Sequence, residues 1–159
     1  MKMKEERITL ALGCDHAGFA VKDEIISFIE GSGVKVTYCG TFSEESVDYP
    51  VIADAVCKKV QCGEARFGVL ICGTGIGMSI AANKHPGIRA AVCWNEECAS
   101  LSRRHNDANV VCLGARMLGT GDIKVIVSVF LSTGFEGGRH ARRVGMLNEL
   151  DGLKTVKKQ

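Results

Sequence analysis

Gly68-Val69-Leu70-Ile71-Cys72-Gly73-Thr74-Gly75-Ile76-Gly77-Met78-Ser79-Ile80-Ala81-Ala82-Asn83 is the stretch that decides the fold. Its apolar start predicts a buried strand, the glycines at 73, 75 and 77 a turn, and the run from Ile76 to Asn83 a helix. Cys72 stands where the strand breaks into the turn. The chemistry is expected on this turn, with the other segments bringing groups to it.

Working outward, the same strand-loop-helix grammar repeats. Ile8 to Gly13 is an apolar strand that stops at Gly13-Cys14-Asp15-His16-Ala17-Gly18. Val21, Ile25, Phe28 and Ile29 recur at helical spacing until Gly31-Ser32-Gly33. Val34 to Cys39 is a β-branched strand and Gly40 to Ser46 a polar loop. Asp48 is placed to cap a helix with Pro50 in its first turn, and Ile52, Ala55, Val56 and Val60 form its buried stripe. Phe67 to Cys72 is the third strand. Arg89 to Cys93 and Asn109 to Gly114 are the fourth and fifth, separated by a helix that Asn95 caps and that runs through Arg103. Asp122 starts a helix carrying Ile123, Ile126, Val127, Phe130 and Leu131 on one face. A last helix ends near Leu150, and 151–159 is expected to be a frayed polar tail.

Five continuous apolar strands alternating with helices are the signature of a parallel sheet covered on both faces. Right-handed crossovers then give an α/β chain: a three-layer α/β/α sandwich around a five-stranded parallel, Rossmann-like sheet. At 159 residues one domain is expected, with a core over about 8–150.

A net charge of +2 calls for neither nucleic acid nor an acidic membrane as partner. No apolar run reaches the roughly 18 residues of a spanning helix. The charged start followed by a short strand does not read as a signal peptide. The eight cysteines include no Cys-x-x-Cys pair, which argues against structural zinc, and the chain is too long and too rich in helix and strand for a disulfide-stapled mini-domain. Free thiols in a reducing cytoplasm, and no metal, are the expectation.

Ligands of such sheets bind at the carboxyl ends of the strands. Strand one is followed there by Asp15 and His16, strand three by the glycine turn, strand five by Gly114-Ala115-Arg116. Converging amides and a helix start make the turn an anion site, for a phosphate or for a developing oxyanion, unless it is a tight turn without a ligand. Met78 replaces the third glycine of a dinucleotide fingerprint, and there is no Gly-Lys-Ser/Thr for a P-loop. A thiol is acidified near a helix start, so Cys72 is either a nucleophile or base, or a buried strand-end cysteine. Asp15 with His16 suits hydroxyl protons or an anion, or Asp15 is a turn cap. His105-Asn106-Asp107 precedes strand five, nearer the opposite edge, so a neighbouring subunit is needed to bring it in; its bland alternative is a helix end with Asn106 left-handed. Arg139 and Arg143 are four apart on one helix face, a spacing that suits joint phosphate binding, although charge runs are usually solvated faces. His85 is assigned no role.

Gly13-Cys14-Asp15-His16-Ala17-Gly18, Ser46-Val47-Asp48-Tyr49-Pro50, Ile71 to Lys84, Gly87-Ile88-Arg89-Ala90-Ala91, Ser102 to Asn109 and Gly137-Gly138-Arg139-His140 together strongly resemble the type B ribose-5-phosphate isomerases, which share a family with allose- and galactose-6-phosphate isomerases. The resemblance runs from about Ile8 to Leu150. It implies a cofactor- and metal-free interconversion of ribose 5-phosphate and ribulose 5-phosphate through a cis-enediolate. It also implies a homodimer or dimer of dimers with shared sites and the C-terminal helix at the interface. By the resemblance, Cys72 is the base, and Thr74 and the amides from Gly73 through Gly75 and Gly77 to Ser79 hold the enediolate. His105, with Asp15, opens the sugar ring. Asn106 binds hydroxyls or the enediolate, and His16, Arg116, Arg139 and Arg143 hold the phosphate. Another branch carries serine and a turn glutamate where this chain has Cys72 and Ile76. The glycine turn then faces the sugar end rather than the phosphate. The competing expectations are a six-carbon sugar phosphate, a nucleotide-binding module (Glu96 lies near the distance of a ribose-binding acid), and a thiol redox protein.

Overall fold

The computed structural model of the chain describes residues 7–156. The strands are β1 (Thr9–Cys14), β2 (Lys35–Tyr38), β3 (Phe67–Cys72), β4 (Ala90–Val92) and β5 (Val110–Gly114). The helices are α1 (Lys22–Gly31), α2 (Tyr49–Gln61), α3 (Ile76–Ala82), α4 (Glu96–Asn106), α5 (Thr120–Ser132) and α6 (Arg139–Val156). All strand pairs are parallel, in the order β2-β1-β3-β5-β4.

The two-residue period of the strands sorts their side chains into two cores. Leu10, Leu12, Val69, Ile71, Val111 and Leu113 face α1, α4 and α5, where Ile25, Ala99, Ile126 and Phe130 are buried. Ala11, Leu70, Cys72, Val110 and Cys112 face α2 and α3, meeting Ile52, Val56, Met78 and Ala82. The result is the expected three-layer sandwich. Central β1, β3 and β5 are buried almost throughout, whereas edge strand β2 alternates, with Lys35 and Thr37 exposed. Within the α2 stripe, Ala53 and Cys57 take the fully buried places, while Ala55 and Val60 are half-buried. α6 packs against α4 and buries Val144 and His140.

Several boundaries differ from the sequence expectation. β4 shrinks to three residues. α5 starts at Thr120, because Asp122 acts from inside the first turn and accepts the Gly119 amide at 3.2 Å. Asp48 occupies the cap position of α2 but makes no side-chain cap bond, whereas Asn95 does cap α4, accepting from the Cys98 amide at 2.8 Å. The expected tail is helix as far as Val156, the helix running on through Gly152 with no proline to end it; 157–159 lie outside the described residues.

From β1 the chain moves outward to β2, then crosses back to β3 on the other side of β1. The connections that follow β1 and β3 therefore diverge at a switch point, the place where such sheets open a ligand crevice.

Candidate active site

Three segments meet at that crevice. Cys14 registers with Ile71, and Cys72 with Gly114. Asp15 follows at the end of β1, the glycine turn at the end of β3, and Ala115-Arg116 at the end of β5. Backbone bonds lock them together: Asp15 N–H to Ile71 O at 3.1 Å, Ala115 N–H to Cys72 O at 2.7 Å, and Arg116 N–H to Gly73 O at 3.1 Å.

Cys72 is 5 % exposed, and its Sγ accepts the Gly75 amide at 3.1 Å. The other buried thiols are poor candidates for a base. Burial pushes Cys57 up to about 12, and Cys14 likewise to about 12 with help from neighbouring Asp15. Cys93 is pushed to about 12 by burial and then by Cys98, and burial raises Cys112 well above the ordinary range. All eight cysteines are unpaired.

The turn owes its shape to two glycines. Gly75 has φ +80°, and a Cβ there would lie 3.0 Å from the Leu113 backbone nitrogen. A Cβ on Gly77 would lie 2.6 Å from the Tyr49 ring, which α2 lays against the turn. Gly75→Ala is expected to cost about 2 kcal/mol or more, because left-handed strain adds to a contact with immovable backbone. Chemical denaturation measures it, and an unchanged midpoint contradicts it. Thr74 Oγ1 accepts the Ile76 amide at 3.2 Å. The Ser79 amide is taken by Gly75 O at 3.1 Å, and its hydroxyl by Ile76 O at 2.8 Å. Both polar groups of Ser79 are thus used inside the helix. Of the four amides that intrahelical bonding leaves over at the start of α3, Gly75 meets Cys72 and Ile76 meets Thr74, and those of Gly77 and Met78 remain.

Asp15 accepts the amides of Ala17 (2.8 Å) and Gly18 (3.2 Å), so it caps its own turn while standing at the crevice. His16 Nδ1 accepts the Val47 amide at 3.3 Å, fixing the tautomer with the proton on Nε2. The Arg116 guanidinium lies over Gly73, at 3.1 Å from where a Cβ would stand. Tyr49, not singled out in the sequence as a site residue, is 39 % exposed at this edge; the only signal for it was its place beside Asp48 and Pro50.

The other expected residues are at the far edge of the sheet. α4 returns along the strands, so His105 and Asn106 sit where β5 begins, about 15 Å from Cys72 at the strand rise of roughly 3.3 Å per residue. His105 stacks on His140, centroids 4.2 Å apart and planes within 6°. Glu136 N–H donates to Arg104 O at 3.1 Å and its carboxylate pairs with Arg104, Nε to Oε1 at 2.6 Å. The Arg104 contact holds Glu136 below the usual carboxylate range. Burial, then His105 and Arg139, pushes His140 below the ordinary histidine value. The left-handed residue ending α4 is Asp107 (φ 45°), not Asn106.

His105, Glu136 and His140 bring three ligand-type atoms within 4.8 Å of one another. Glu136 is already committed to Arg104, the two rings stack face to face, and Arg139 and Arg143 share the first turns of α6. That field suits an anion better than a divalent cation. The residues expected at the site therefore fall into two separate groups. Cys72, Thr74, Asp15, His16 and Arg116 stand at the carboxyl edge, and His105, Asn106, Arg139 and Arg143 at the amino edge.

Residues 10–147 match the Ribose/Galactose Isomerase family model. The chain is 48% identical to ribose-5-phosphate isomerase B of Escherichia coli (strain K12), over 89% of this chain and 95% of that one. Among solved structures, ribose-5-phosphate isomerase B of Clostridium thermocellum superposes with a TM-score of 0.91 at 47% identity, covering 92% and 99% of the two chains. The Leishmania infantum type B ribose 5-phosphate isomerase gives 0.89 at 46% identity, covering 93% and 99%. These matches displace the nucleotide-binding and thiol-redox expectations and agree with the thiol-and-glycine crevice at the switch point: the chain belongs to the ribose/galactose isomerase family.

Proposed function

We propose that the protein interconverts D-ribose 5-phosphate and D-ribulose 5-phosphate through a cis-enediolate. The observation that carries the proposal is the placement of a thiol, Cys72, beside leftover amides at the switch point of a chain that belongs to this family. The proton at C2 of the open-chain aldose is weakly acidic, so its removal needs a base and donors for the oxyanion. Cys72 takes that proton and returns it to C1, and the hydrogen lost at O2 is balanced by one gained at O1. The reaction is redox-neutral and draws on no cofactor. The Gly75 amide strengthens its bond to sulfur as negative charge grows there. The amides of Gly77 and Met78 and the Thr74 hydroxyl face the enediolate oxygens. His16 and Arg116 hold the phosphate, whose binding energy positions the reacting carbons.

The remaining groups come from a second copy of the chain. The His105–Asn106 turn and the Arg139/Arg143 face of α6 complete the site of the neighbouring protomer. α6 supplies the interface, presenting Met146, Leu147 and Leu150 as exposed apolar side chains. A reducing cytoplasm is the compartment in which eight unpaired thiols persist.

Mixing tests the shared site. Cys72→Ala and His105→Gln homodimers are each expected to be nearly inactive. After unfolding and refolding together, random pairing gives half heterodimers with one intact site each, so about a quarter of wild-type activity returns. No recovery on mixing contradicts the shared arrangement. The rival six-carbon reading is tested by relative kcat/KM, since a clear preference for allose 6-phosphate over ribose 5-phosphate overturns the substrate assignment.

A further inference from the structure

The turn that carries His105 and Asn106 is held more firmly than the end of a helix requires. The backbone closes α4 unaided, with Asp107 N–H to Arg103 O at 3.1 Å and Ala108 N–H to Ser102 O at 3.0 Å. On top of this, the Asp107 carboxylate is divided between two arginines. Its Oδ1 accepts Arg103 Nη1 at 2.8 Å and its Oδ2 accepts Arg89 Nη2 at 3.3 Å.

Arg89 enters from the residue before β4 and grips the turn's backbone as well. Its Nε donates to the carbonyls of Asn106 and Asp107, both at 3.1 Å, and its Nη2 to Asp107 O at 2.9 Å. Arg103 is 5 % exposed. It also donates to Ala108 O at 2.6 Å and Thr133 O at 3.3 Å, and its guanidinium lies over the Phe67 and Phe130 rings at 4.8 and 5.6 Å. A buried guanidinium is costly unless fully paired, and here Nη1 of Arg103 is paired within the turn, to Asp107 and Ala108, while Nε ties it to the end of α5 at Thr133. Asp107 is moreover the one non-glycine residue of positive φ among the described residues, a strained conformation of the sort that persists where the surroundings over-determine it.

We propose that the Arg89–Asp107–Arg103 clamp is a positioning device for His105, holding the imidazole at the place from which it acts on the furanose ring. The inference rests on the ring-opening role of His105 in the proposed function. The three residues touch no substrate. They fix the last turn of α4 from the β4 approach, the start of β5 and the end of α5 at once, and His140 closes on the free face of the ring. Precision of this kind matters because a misplacement of about 1 Å costs on the order of 10²-fold in rate.

Asp107→Asn is the test. It keeps the side chain's shape and its tolerance of left-handed backbone, and removes the charge that joins the two arginines. Turnover of ribose 5-phosphate is expected to fall about tenfold in the wild-type background and less than about twofold in the His105→Gln background, because the clamp acts through His105 rather than through Asn106 on the same turn. Arg89→Lys, which loses the guanidinium fork at a partly exposed position, should give the same pattern and serves if Asp107→Asn does not fold. An equal loss in both backgrounds, or no loss in either, overturns the clamp. Wild-type turnover by His105→Gln alone overturns the ring-opening role instead, so the two failures are distinguishable.

Discussion

Cys72→Ala lowers turnover of ribose 5-phosphate by about 10³-fold or more while leaving sugar phosphate binding within a few-fold of wild type. Removal of the C2 proton requires a base at the carboxyl edge, and no neighbouring thiol can stand in. Cys14, at the end of the adjacent strand, is held protonated at neutral pH by burial and by Asp15, with its pKa pushed to about 12. Loss of one sulfur from a 5 % exposed strand end also costs packing, on the order of 1 kcal/mol. A packing role alone would show as a small shift in unfolding midpoint with little change in kcat. The decisive measurement is exchange of the C2 proton with deuterated solvent during incubation with ribose 5-phosphate. Exchange disappears in Cys72→Ala if the thiol is the base, and wild-type exchange or turnover in the variant refutes the assignment.

His105→Gln separates the two halves of the reaction. Ribose 5-phosphate is mainly a furanose and must be opened before its C2 proton becomes acidic. Ribulose 5-phosphate cannot close the corresponding ring, because its 5-oxygen carries the phosphate. The variant is therefore expected to lose about 10²-fold in turnover of ribose 5-phosphate. It is expected to keep exchange of the C1 proton of ribulose 5-phosphate within about threefold of wild type, since in the proposed mechanism that step uses Cys72 and the turn amides. The imidazole is partly exposed, stacked on His140 and 3.9 Å from the Glu136 carboxylate, which is compatible with the proposed proton work on a sugar oxygen. Equal losses in both assays would move His105 from ring opening to the enediolate step. No loss in either would remove it from the site.

Much of the fold was legible in the residues because its signals are local. Continuous apolar runs marked all five strands, and glycines marked the ends of β1, β3 and β5, but their order in the sheet came only from the structure. The weaker boundaries fell where a polar residue plays an unusual part. Asp122 caps from inside α5 rather than before it. α6 runs on through Gly152 to Val156, past the point where the polar segment was expected to fray. The left-handed residue at the end of α4 is Asp107 rather than Asn106, and its carboxylate is bound there by Arg103, one turn back, and by Arg89 from the segment before β4.

The site was legible as a set of residue types and less so as a set of contacts. Ser79 lies in the glycine-rich stretch, yet its amide and hydroxyl are consumed within α3. Tyr49 reaches the turn only because α2 crosses the sheet to lay its ring on Gly77. By itself the sequence determined the strand-and-helix grammar, the strand-end thiol with its glycine turn, and the family motifs, all of which depend on neighbours close in the chain. The tertiary structure decided that Cys72 and His105 stand at opposite edges of one sheet, and that the turn bearing His105 is clamped from three other segments. Those outcomes depend on which strands pair and how the helices return between them, through contacts between residues far apart in sequence.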